Sequence, residues 1–74
     1  MLDWKVIVIN PNTNDIHAEG YIRVIDPVKD VCSATVTIKV NNYDKDFRNN
    51  TLFNIRISIQ EYFQGYKCEF SRVD

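Results

Sequence analysis

Glycine occurs only twice in these 74 residues, at Gly20 and Gly65. Loops that cradle phosphates need several closely spaced glycines so that backbone N–H groups can approach the ligand, so a glycine-rich nucleotide loop is excluded. Cysteine is equally scarce. Cys32 and Cys68 make no disulfide framework and no Cys-x-x-Cys pair for zinc or redox work. They are expected as two buried thiols of a reducing compartment. Neither sign of charge is in excess: nine Lys and Arg stand against ten Asp and Glu, a formal net charge of −1 with a pI near 5.7. That balance advertises no polyanion partner. The longest apolar run, Val6 to Ile9, is far too short to cross a bilayer, and no basic stretch followed by an apolar one opens the chain. The expectation is a soluble protein of the cytoplasm.

Titratable groups with catalytic spacing are also missing. His17 is the single histidine, and on the expected exposed side of its strand it reads as a solvated residue rather than a general base. There is no Gly-x-Ser-x-Gly and no His-Glu-x-x-His. Asp44-Lys45-Asp46 starts like a calcium loop but lacks the glycine and the closing glutamate that such a loop needs. The reading is therefore a non-enzyme, with no catalytic residues, no metal ligands and no cofactor.

What the sequence does contain is β pattern. A hydrophobic fraction of 45% with 26% charged residues is the balance of an ordered globular chain, and 74 residues suffice for one domain, residues 1–74. Five segments read as strands, and none reads as an amphipathic helix of ten residues. They are Trp4–Asn10, Ile16–Ile25, Val31–Val40, Leu52 to about Phe63, and the stretch after Gly65 to Arg72. The Pro11–Asp15 and Asp26–Asp30 stretches carry the Pro, Asn and Asp that turns use. In the second and third strands, setting Ile25 opposite Val31 pairs Val24 with Cys32, Ile22 with Ala34, Gly20 with Val36, Ala18 with Ile38 and Ile16 with Val40, which makes one face wholly apolar or glycine.

Tyr62-Phe63-Gln64-Gly65 is similar to a protease site used in expression tags, but Ile59 stands where that site has glutamate. It reads instead as the bend of a last hairpin, in which Ile59 faces Phe70 and Glu61 faces Cys68, with Gly65 supplying a positive φ. Asn41–Thr51 is polar except for Tyr43 and Phe47, four apart, and is expected to be a loop with a short helical turn between strands three and four. The fold class is thus all-β: a small five-stranded antiparallel barrel or sandwich with the strand count of an OB-like barrel, an analogy of topology only.

Strand one is apolar on both sides: Trp4, Val6 and Val8 on one, Ile7 and Ile9 on the other. One set can enter the core and the other needs a cover. Two functions follow. The first is a small protein-binding module, of the kind found among phage accessory or inhibitor proteins, that takes a partner or a second copy through the first strand, either on the strip Ile7, Ile9 and Tyr21 or along an open strand edge. The abundance of Ile, Asn, Lys, Tyr and Phe carries the phage association. The alternative is an OB-like single-strand nucleic-acid binder using Tyr21, Arg23, Lys39 and Tyr43. Charge disfavours it, and neither a membrane nor a small-molecule substrate is indicated.

Overall fold

The structure is a computed structural model and describes residues 3–73. The chain is mostly strand. β1 (Asp3–Ile9), β2 (Ile16–Asp26), β3 (Val31–Ile38), β4 (Tyr43–Asn50) and β5 (Lys67–Val73) form one antiparallel sheet, and one helix, α1 (Leu52–Tyr62), lies between β4 and β5 in the chain. The strand order is β4-β3-β2-β1-β5, so β4 and β5 are the two edges and the sheet is not closed.

The first three strands form where β-branched residues alternate with polar ones, and their turns form where side chains can replace a backbone partner. At the β1–β2 turn the Asn12 N–H donates to Asn10 Oδ1 (2.9 Å), and Asn14 takes a φ of 64°. At the β2–β3 turn the Val28 and Lys29 N–H groups both donate to Asp26 Oδ1 (3.1 Å each), and Asp30 sits at φ 54°. Asn and Asp tolerate this left-handed region better than other residues with a Cβ. The β2–β3 pairs Ala18–Ile38, Gly20–Val36, Ile22–Ala34 and Val24–Cys32 are those the pattern requires. At the ends the register differs: Val31 faces Asp26 rather than Ile25, after an irregularity, and β3 stops at Ile38 short of Val40.

At Gly20 the backbone of β3 lies directly against β2. A Cβ there would collide with the Thr35 carbonyl oxygen and stand 2.7 Å from Val36 Cα. Both are backbone atoms, so no side-chain rotation relieves the clash.

The second half of the chain departs from the sequence reading. Leu52–Tyr62 is a helix, not a strand. Thr51 caps it, its Oγ1 accepting the Asn54 N–H at 3.2 Å. At helical spacing Ile55, Ile59 and Phe63 fall on one side and are buried, while Phe53 is 69% exposed. A strand would have put Phe53 with Ile55 and Ile59, so burial of the i, i+4 set decides for the helix.

The expected loop with a helical turn at Asn41–Thr51 is instead mainly β4. As a strand it alternates Tyr43, Lys45 and Phe47 on the helix side with Asp44 and Asp46 on the other, and Phe47 joins the core. The last hairpin is also absent. Residues 63–66 turn out of the helix with Gly65 at φ 89°, and β5 pairs with β1 over seven successive residues, placing Phe70 opposite Val6 and Cys68 opposite Val8. Glu61 is exposed on α1 rather than opposite Cys68.

The core lies between α1 and one face of the sheet. Val6, Val8, Ala18, Ile22, Val36, Ile55 and Ile59 are at most 1% exposed, and no polar or charged side chain is buried among the described residues. Arg56 closes the β1–β5 side, its guanidinium 5.0 Å from the Phe70 ring and 5.7 Å from the Trp4 ring.

Candidate protein-binding face

The face of the sheet turned away from α1 has no cover among the described residues. Because side chains alternate along each strand, the polar halves of the first three strands must all arrive on this face once their apolar halves meet the helix. Register then sets the neighbours. Thr35, Tyr21, Lys5 and Ser71 lie in one row across β3, β2, β1 and β5, and Thr37, Glu19, Ile7 and Glu69 in the next. A shallow trough of about 570 Å³ runs along it, lined by Lys5, Glu19, Tyr21, Arg23, Thr35 and Lys39 among others.

The polar groups of this face are tied to one another. Lys39 Nζ donates to Glu19 Oε1 at 2.6 Å. That hydrogen bond and the lysine charge, with a smaller contribution from Lys5, hold the Glu19 carboxyl below its ordinary range. At the β4 side Thr35 Oγ1 donates to Asp46 at 2.8 Å and Thr37 Oγ1 to Asp44 at 2.6 Å.

Among these pairs stand the apolar residues. Ile7 is half-buried between Glu19 and Glu69, Ile9 is half-buried between Ile16 and Lys67, and Tyr21 is 48% exposed. The chain matches no protein-family model, no curated protein and no solved structure. The face must be read from its chemistry alone.

The structure thus brings Ile7, Ile9 and Tyr21 to one surface. It also corrects the route by which strand one could be used. β1 is hydrogen-bonded to β2 on one side and β5 on the other, so its edge is not open to another chain. Its two apolar sides are explained by this central position: Val6 and Val8 meet the helix layer, and Ile7 and Ile9 are flanked by neighbours on both sides.

The nucleic-acid set is divided. Tyr21, Arg23 and Lys39 line one trough, whereas Tyr43, opposite Ile38, lies on the helix side of the sheet.

His17 is not the free surface residue its parity implies. The register shifts between Val8, opposite Ala18, and Ile9, opposite Ile16, which leaves His17 without a partner on β1. It turns to the helix side and stacks on Tyr66 with ring centroids 4.2 Å apart, and makes a T-shaped contact with Phe63. No sequence pattern marks such an irregularity. The thiols stay on the helix side, Cys32 buried and Cys68 half-buried, and burial raises both above the ordinary cysteine range. Among the described residues no three His, Cys, Asp or Glu side chains gather to hold a metal ion.

Proposed function

We propose that this chain is a small non-enzymatic module that binds another protein on the open face of its sheet. Ile7, Ile9 and Tyr21 make the apolar contact, with Lys5, Glu19 and Arg23 around them. The observation that carries this reading is a five-stranded sheet roofed on one side only, whose bare side holds a tyrosine and two isoleucines among charges that include the Lys39–Glu19 and Lys67–Glu69 ion pairs. Protein interfaces have this composition, an apolar centre with tyrosine and a polar rim. Paired rim charges have little left to offer a highly charged ligand, but they discriminate between protein surfaces through orientation.

The test uses the intact chain as bait in native lysate, alongside Ile7→Lys and Tyr21→Ala. A true partner is retained by the wild type and lost by both variants while far-UV circular dichroism and thermal midpoint stay unchanged. Retention by both variants overturns the reading, as does unfolding by Tyr21→Ala.

A second reading keeps Tyr21, Arg23 and Lys39 as a short single-strand platform because they share the trough. Glu19 holding Lys39 and the Asp44 and Asp46 pair beside the trough weigh against it. Absence of any affinity for single-stranded DNA or RNA at low salt removes it.

A further inference from the structure

The two edges of the sheet carry opposite charge patterns. On the open face β4 presents Asp44 and Asp46, two residues apart. An antiparallel strand that continues the sheet must keep each side chain on its own face, and in a second β4 paired about Lys45, Asp44 and Asp46 each stand opposite the partner's other aspartate. Like charges directly opposite one another repel, and the irregularity between Cys32 and Ala34 also twists this edge. β4 is an edge guarded against its own copy.

β5 is different. It is regular over its whole length against β1, and among the described residues no element lies outside it. On the open face it presents Lys67 and then Glu69, opposite signs two residues apart, 3.4 Å from each other. In an antiparallel pairing of two β5 strands about Cys68, Lys67 stands opposite the partner's Glu69 and Glu69 opposite the partner's Lys67. On the helix side Cys68 meets the partner's Cys68, so residues 67–69 of the two strands face each other and Phe70 runs out beside the partner's turn at residues 63–66. Cys68 and Phe70 are half-buried in the single chain, so the pairing removes apolar surface from water as well as the free backbone groups of residues 67–69.

We propose that a second copy of this chain binds along β5 in that register, joining two sheets into one of ten strands. The two-fold axis stands perpendicular to the sheet, so both open faces point the same way. The proposal is independent of the reading of the open face, since it uses an edge and not Tyr21.

Sedimentation equilibrium of the intact chain over a wide concentration range tests it. The wild type shows a reversible monomer–dimer equilibrium. Glu69→Lys, which sets lysine against lysine at both symmetric positions, raises the dissociation constant roughly tenfold. The exchange Lys67→Glu/Glu69→Lys restores unlike pairs and brings the constant back to near the wild-type value. A short bis-maleimide links two wild-type chains through Cys68 and fails with Cys68→Ser. The proposal is overturned by a monomer at every concentration, by a dimer indifferent to Glu69→Lys, or by a charge exchange that does not restore affinity.

Discussion

The covered face of the sheet and the open one come from the same strands, residue by residue in alternation, yet they obey different rules. On the covered face Val6, Val8, Ile22 and Val36 are wholly buried against Ile55 and Ile59, and no buried side-chain polar atom lacks a partner among the described residues. Its energy is apolar area and fit. On the open face the groups are tied by hydrogen bonds between exposed side chains, Lys39 to Glu19 and the two threonines to Asp44 and Asp46. Exposed bonds of this kind contribute little to stability and much to the shape and charge of a surface. The contrast teaches that the fold is held from one side, which leaves the other free to vary with function.

Substitution on the two faces breaks or sharpens this comparison. The largest effect is expected at Gly20, where both faces depend on the close approach of β2 and β3. Gly20→Ala forces a Cβ into the Thr35 carbonyl, and neither backbone can yield without disturbing the ladder. For a chain of 74 residues, whose total stability is on the order of 4–11 kcal/mol, the variant is expected to lose cooperative unfolding or most of its melting temperature. A thermal midpoint within a few degrees of the wild type would show that the strands can separate there at small cost.

The next effect separates the faces directly. Ile59→Ala, at a position with no solvent exposure, is expected to destabilise by about 2–5 kcal/mol in urea unfolding. Tyr21→Ala on the open face should stay within about 0.5 kcal/mol of wild type. Similar losses at the two sites would mean that the open face is structural after all.

Legibility in the sequence followed the same division. β1, β2 and β3 were readable because alternation over Cys32–Ile38 and the Asp26–Asp30 turn agree on one register, and a slip of one residue would have buried threonines and lysine. The helix was ambiguous because three isoleucines at strict alternation imitate a strand. The signals for helix were Thr51 as N-cap and the spacing of Ile55, Ile59 and Phe63, and only the apolar face of the sheet beneath them decides. β4 was hidden because an edge strand guarded by Asp44, Lys45, Asp46 and Arg48 carries almost none of the apolar pattern by which strands are recognised. Once α1 is a helix, β5 cannot fold back on it and takes the free side of β1. As for the open face, parity alone brought Ile7 and Tyr21 together. It could not show the turned-in His17, because a local register shift depends on both strands at once.

The smallest expected effect lies at Glu19, and it tests whether charge or packing organises the open face. Its folded pKa is lowered by Lys39, first through the hydrogen bond and then through the lysine charge, with Lys5 adding to it. A carboxyl depressed in the folded state stabilises above its unfolded value, near 4.5, and loses that contribution as the pH falls through the folded value. The side chains are 49% and 35% exposed, so solvent screens the pair to well under about 1 kcal/mol. Glu19→Gln should therefore unfold at slightly lower urea than wild type at neutral pH, with the gap closing as the solution is made more acid than the ordinary glutamate range. Added salt should narrow the neutral-pH gap in the same direction. A gap that is constant across pH and salt would instead assign the loss to packing of the Glu19 stem beside Ile7, and the open face would then be organised by contact rather than by charge.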